Sequence, residues 1–182
     1  MKTRNLTLNS ILLAIGLMLH QVTPALGLPM QPDFALAMLF VIMLLNKDDY
    51  KICMVCAIVT GVFTALTTKF PGGQLPNILD KVVTANFVYV LIYIFYKVRY
   101  FGKLLGDKSD EFLAFIILPI GTLISGSVFL GFAKVIVGLP APFLPLFLSV
   151  VVPACIINLF AGLFLYKIVK LSLKRTASFG VK

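Results

Sequence analysis

The sequence is poor in charge and in the residue types that most enzyme sites use. It contains no tryptophan, one histidine and three cysteines, and only 13% of its 182 residues are charged. Soluble domains hold about 25% charged residues. A chain that is 60% hydrophobic with a mean hydropathy of +1.03 cannot hide its apolar surface from water. We therefore predict an integral membrane protein, and the composition excludes a sizeable soluble catalytic domain.

Motifs for catalysis and metal binding are also missing. No G-x-x-x-x-G-K-[ST] loop, G-x-S-x-G elbow or H-E-x-x-H pair occurs, so neither ATP hydrolysis nor these hydrolase chemistries are encoded. Cys53 and Cys56 form a lone C-x-x-C, with Cys155 far along the chain. Without a second pair or a nearby histidine, these cysteines are interpreted as packing residues. We predict no enzyme activity and no cofactor, and the energy for any pumping must come from partners or an ion gradient.

Six apolar runs predict an all-α transmembrane domain that covers residues 1–182. A span requires about 20 apolar residues. The second run is short, so it either tilts little, begins below the membrane surface or is re-entrant, and five spans are the alternative to six. The first run resembles a signal peptide but has no persuasive cleavage site, so we expect it to be retained. The runs cover residues 6–27, 34–46, 50–69, 77–98, 111–137 and 143–170.

The basic residues indicate how the chain is oriented. If both ends face the cytoplasm, thirteen of the sixteen Lys and Arg residues lie on inner segments, among them the basic tail at 171–182, and only Lys69, Lys81 and Lys134 lie toward the outside. This asymmetry is the positive-inside rule for a multi-pass protein of the bacterial cell membrane. The formal charge of +9 is then explained by topology and by attraction to anionic lipid heads, and nucleic acid is not an expected partner.

Ionisable side chains in the outer half of the spans form the candidate ligand site. Such groups are expensive in lipid, so each needs a partner or a function. A zwitterion with an aromatic body would suit them: Lys81 would bind its carboxylate, and Asp80 or Asp33 its ammonium. The alternative is an internal ion pair of Asp80 and Lys81 with Lys134 or Asp33.

Further residues are expected to complete that site. Asn77, Gln74 and Asn158 would orient the ligand by hydrogen bonds, and Phe87 and Phe143 would contact its aromatic body. Any single phenylalanine is more simply explained by core packing or lipid contact. His20 stands alone, and a helix–helix hydrogen bond explains it more simply than a proton relay.

Small residues recur at four-residue spacing on two helices. Ala57, Gly61 and Ala65 form one stripe on the third helix, and Ser10 with Ala14 forms another on the first. Such stripes allow helices to approach closely. They serve either internal packing or docking to a separate membrane subunit.

A family resemblance is carried mainly by residues 61–85. Pro32-Asp33-Phe34, the run GVFTALTTKFPGGQLPNILDK at 61–81, and Thr84-Ala85 together resemble the bacterial tryptophan-transporter family of Firmicutes. That family is similar to the substrate-binding S-components of energy-coupling factor (ECF) transporters.

The resemblance implies a six-helix protein that captures L-tryptophan from outside. It further implies that the protein associates with an ECF transmembrane coupling subunit and two cytoplasmic ATPases, and that it reorients to release its ligand. S-components commonly present Ala-x-x-x-Ala on the first helix. Ser10 and Ala14 are the nearest match here, and Met18 departs from the pattern.

Three competing hypotheses remain at this level. The chain could be an S-component for another small molecule such as a vitamin, because one scaffold accepts many ligands. It could be a self-sufficient transporter that couples protons through Asp80, His20 or Lys81. A membrane enzyme or a non-transporting assembly factor is the third, although the sequence displays no nucleophile, metal cluster or paired acid for an enzyme.

Overall fold

The computed structural model describes residues 3–24, 31–97 and 109–179, and within these ranges it is helical without any strand. A π-helical turn at Phe147–Val151 joins the last two helices into one run. The helices are α1 (Thr3–Val22), α2 (Phe34–Leu45), α3 (Tyr50–Thr67), α4 (Gln74–Lys97), α5 (Ser109–Ile136), α6 (Phe143–Leu146) and α7 (Val152–Phe179).

The predicted all-α membrane architecture is confirmed. Five of the described helical runs are long and apolar enough to cross a membrane, and α2 is a shorter apolar helix of 12 residues. Each predicted run corresponds to one helical run. The largest differences are at the ends: α1 stops at Val22, and α7 continues to Phe179 into the predicted tail.

Helix α2 forms the centre of the bundle. Every residue from Ala35 to Leu44 is buried, as expected for a helix that is apolar on all sides. At about 1.5 Å per residue it is roughly 18 Å long, against a hydrocarbon core of about 30 Å. The helix is therefore shorter than the hydrocarbon core is thick. Its carboxyl end meets the inner turn at Asn46, where Asn46 and Asn9 exchange amide hydrogen bonds of 3.0 and 3.3 Å.

The stripe of Ala57, Gly61 and Ala65 packs inside the molecule. All three residues are buried. A Cβ atom added at Gly61 would lie 3.1 Å from the Ile78 Cα atom of α4, so glycine allows α3 and α4 to approach closely here. The stripe is thus an internal packing surface, and it leaves no surface for a partner subunit.

The π-helical turn is a local feature that the sequence analysis did not predict. The Val152 N–H bonds to the Phe147 carbonyl, five residues back. Pro153 follows immediately, and proline cannot supply the N–H that a regular α-helix needs at that position. The turn brings Val150 and Val151 to the wall of an internal cavity.

Candidate ligand-binding site

A buried ion cluster lies where α2 and α4 meet, at the end of the bundle that the distribution of charge predicts to face outward. Lys81 Nζ is 2.7 Å from Asp33 Oδ2 and 2.5 Å from Asp80 Oδ2. The Lys81 and Asp80 side chains are almost completely buried, whereas that of Asp33 is 18% exposed. Two carboxyl groups therefore face one lysine side chain.

Asp80 is the carboxylate whose bonds are satisfied within the protein. Its Oδ1 atom accepts a hydrogen bond from the Thr84 hydroxyl at 2.8 Å. Its Oδ2 atom accepts one from the Ser125 hydroxyl at 2.8 Å as well as from Lys81. Three donors from two helices thus hold Asp80, and its role is to fix the Lys81 ammonium in place.

Asp33 combines an ion pair with a structural role. Its Oδ1 atom accepts the Leu36 N–H at 2.9 Å and caps α2, which satisfies one of the free N–H groups at the helix start. His20 Nδ1 lies 3.2 Å from the same oxygen. The Gln31 amide nitrogen lies 2.7 Å from His20 Nε2 and donates to the His20 carbonyl at 3.0 Å. The predicted helix–helix hydrogen bond of His20 is not found among the described residues: Nδ1 has no hydrogen-bond partner there, and Nε2 meets Gln31, which precedes α2.

A cavity opens beside the ion cluster. About 610 Å³ of space lies between its walls when the open solvent at its mouth is included. Its walls come from the end of α1, the segment leading into α2, the loop after α3, the start of α4, the second half of α5, the π-helical turn and the start of α7. The distribution of charge predicts that this end of the bundle faces outward. The lining residues are His20, Gln31, Asp33, Leu36, Thr68, Lys69, Phe70, Asn77, Asp80, Lys81, Thr122, Ser125, Gly126, Phe129, Val150, Val151, Ala154 and Asn158.

The structure brings five of the eight predicted ligand residues to this cavity. Asp33, Asn77, Asp80, Lys81 and Asn158 line it. Lys81 pairs with Asp33, and Lys134, the predicted alternative partner for Asp80, is exposed. The predicted internal ion pair and the predicted ligand site therefore occupy the same place.

Gln74, Phe87 and Phe143 lie outside the cavity lining. Gln74 is exposed at the first residue of α4. Phe87 is 56% exposed and lies seven residues after Asp80, about 10 Å further toward the inner side. Phe143 stacks on Phe147 with ring centroids 6.1 Å apart. One sequence fixes helix faces only relative to each other, so it could not tell which aromatic rings face the cavity.

Other residues take the aromatic and polar positions that the sequence analysis did not assign. Phe70 and Phe129 form an edge-to-face pair with centroids 5.5 Å apart, and both line the cavity. Thr122 and Ser125 lie one turn apart on the same face of α5 and line it too. Their spacing in the sequence could have identified them, because it places Thr122, Ser125 and Phe129 on one helix face.

A second concave surface lies on the inner side, between α1 and α3. This groove is largely apolar, and Asn9, Ser10 and Lys51 are among the residues that line it. Ser10 and Ala14 are both exposed on α1. The first-helix stripe of small residues is therefore accessible, unlike the stripe on α3.

Comparisons with known proteins agree over nearly the whole chain. A family model described as Tryptophan transporter TrpP matches residues 2–174. Proteins named probable tryptophan transport protein are 55% identical in Clostridium perfringens, 47% in Clostridium acetobutylicum and 40% in Bacillus subtilis. The alignments cover 96 to 97% of this chain and 96% of each relative. No solved structure matches the chain at a significant level.

Proposed function

Because this chain belongs to the tryptophan transporter family TrpP, we propose that it takes up tryptophan across the bacterial cell membrane by capturing L-tryptophan in the outer cavity. The observation that carries the proposal is the Asp33–Lys81–Asp80 cluster in the cavity wall. Buried ionisable groups in a membrane protein mark substrate pathways.

The charges of the cluster complement those of an amino acid. Two carboxyl groups face one lysine, so the cluster offers an acceptor for a substrate ammonium in addition to the one that pairs with Lys81. Asp80 is already held by three donors, whereas the Asp33 side chain is partly exposed. Asp33 is therefore the better partner for the ammonium.

The substrate carboxylate has a place at Lys81. An ammonium offers three N–H donors, and Asp33 and Asp80 account for two of those on Lys81. The third would bind the carboxylate of the amino acid. Phe70 and Phe129 supply ring edges and faces for an aromatic side chain in the same cavity.

For the energy source, we propose an ECF-type module with a membrane coupling subunit and two ATPases. The sequence contains no Walker A loop of its own. The groove between α1 and α3, with Ser10 and Ala14 exposed on α1, supports docking of a helical subunit at the inner side, since small residues permit close helix contact.

One observation favours a second mechanism, coupling to protons. His20, Asp33, Lys81 and Asp80 form a continuous chain of ionisable groups at distances of 2.5 to 3.2 Å. Chains of this type serve as proton relays in transporters. In this alternative the chain would work without any ATPase.

Reconstitution separates the two mechanisms. The purified chain is placed in liposomes, and uptake of radiolabelled L-tryptophan is measured with and without an imposed proton gradient. The proposal predicts binding but no accumulation by the chain alone, and accumulation in cells that depends on the ATPases and persists with a protonophore at constant ATP. Accumulation by the purified chain that a protonophore abolishes would establish the proton-coupled alternative.

A further inference from the structure

Asn158 places an unpaired hydrogen-bond acceptor in the wall of the cavity. Its side chain on α7 is fully buried and lines the cavity. Among the described residues, its Oδ1 atom has no hydrogen-bond partner. Leaving a buried acceptor without a donor destabilises the protein. A ligand that supplies the donor therefore binds more tightly.

Thr122 fixes which end of the Asn158 amide is free. The Thr122 hydroxyl donates its proton to the Leu118 carbonyl at 2.7 Å. It can therefore only accept from Asn158, whose Nδ2 atom lies 3.4 Å away. The amide nitrogen faces Thr122, and the oxygen is the atom left for a ligand.

The surroundings of Asn158 select a neutral donor. Ala154, one turn away on α7, and Val151 give the cavity an apolar wall on this side. The free anionic charge lies at Asp33 on α2, where an ammonium would be held. These apolar neighbours favour an uncharged N–H carried by an apolar body as the donor to Asn158.

We propose that Asn158 Oδ1 accepts the indole N–H of tryptophan, and that Asn158 is the residue that selects indole over aromatic side chains without a donor. This inference rests on the proposed function, because it takes tryptophan as the ligand. A site built to bond an N–H group discriminates strongly against analogues that lack it, since its own acceptor then stays unpaired.

The test compares tryptophan with 3-benzothienyl-L-alanine, in which sulfur replaces the indole N–H within a ring of similar shape. Binding of both to the purified chain is measured by isothermal titration calorimetry. We expect wild type to prefer tryptophan by about 10- to 100-fold, the value of one buried hydrogen bond. In Asn158→Leu the two affinities should converge. Asn86→Leu is the matched control, because Asn86 lies outside the cavity and bonds Tyr50 and the Val82 carbonyl.

The possible outcomes separate this inference from the proposed function. An unchanged preference in Asn158→Leu, or equal affinities in wild type, overturns the role of Asn158 and leaves tryptophan capture in place. The wild-type comparison needs no variant, so equal affinities overturn the role of Asn158 even if Asn158→Leu does not fold. Failure of wild type to bind tryptophan would overturn both.

Discussion

Asp33 has two roles that one substitution separates. Asn at this position still accepts the Leu36 N–H and caps α2, because Asn and Asp are equally good capping residues, but it carries no charge. Lys81 keeps its pair with Asp80, so stability should change little. We predict that Asp33→Asn lowers tryptophan affinity by about 10- to 100-fold, since hydrogen bonds to charged groups contribute roughly 1.5–3 kcal/mol. Equilibrium binding measures it.

Asp49→Asn is the matched control. Asp49 caps α3 by accepting the Ile52 N–H at 3.1 Å, but it is exposed on the inner side, away from the cavity. This variant should bind tryptophan like wild type. Wild-type affinity in Asp33→Asn would show that the ammonium is bound elsewhere.

Lys81 should matter for stability as well as for binding. Lys81→Met leaves two carboxylates without their buried counter-ion, and breaking a buried ion pair costs about 3–5 kcal/mol. We predict a clear fall in the thermal unfolding midpoint in detergent. Lys134→Met removes an exposed lysine from the same outer side and should leave the midpoint near that of wild type. Equal midpoints for the two variants would contradict the ion cluster.

The charged part of the site could be predicted from sequence, and the aromatic part could not. Asp80 and Lys81 stand out because ionisable groups within a span are rare and expensive. A phenylalanine in lipid has no such cost, so nothing in the sequence distinguishes Phe129 in the cavity wall from Phe87 on the surface.

At the scale of helices, the close approach of α3 to α4 positions the site. A Cβ atom at Gly61 would lie 3.1 Å from Ile78 Cα and 3.4 Å from the Lys81 Cβ atom. Gly61→Ala should therefore push α4 outward and displace Lys81, with an overpacking cost of about 1–3 kcal/mol. We predict a lower unfolding midpoint together with weaker tryptophan binding.

Gly131→Ala provides the comparison for that variant. Gly131 is helical too, and a Cβ atom there meets nothing within 4 Å. Both substitutions gain the same helix propensity, so the difference between them reports packing alone. If Gly61→Ala behaves like Gly131→Ala, the α3–α4 contact does not position the cluster.

The sequence predicted the residue ranges of the helices better than it predicted where α2 begins relative to the other helices. The apolar runs between polar breaks predicted the helices, because a segment in lipid must form all of its backbone hydrogen bonds internally. The starting depth of α2 and the π-helical turn before Pro153 depend on neighbouring helices. The short second run was compatible with little tilt, a start below the membrane surface or a re-entrant segment. The structure shows α2 at the centre of the bundle, with Asp33 beside the cavity.

For the whole molecule, the distribution of charge predicts an orientation that labelling can test. In a background with Cys53, Cys56 and Cys155 replaced by alanine, Lys69→Cys and Lys51→Cys introduce single thiols at exposed positions on opposite sides. A membrane-impermeant maleimide should label the Lys69→Cys variant in intact cells. It should label the Lys51→Cys variant only after permeabilisation. The reverse pattern would place the cavity on the cytoplasmic side.

The central claim is that this chain alone captures tryptophan in its outer cavity. The most direct measurement is equilibrium binding of L-tryptophan to the purified chain in nanodiscs, followed by ligand fluorescence, because the chain contains no tryptophan of its own. We predict saturable binding at one site per chain, weakened in Asp33→Asn and unchanged in Asp49→Asn. Absence of saturable binding by the folded chain, or equal binding by both variants and wild type, would contradict it.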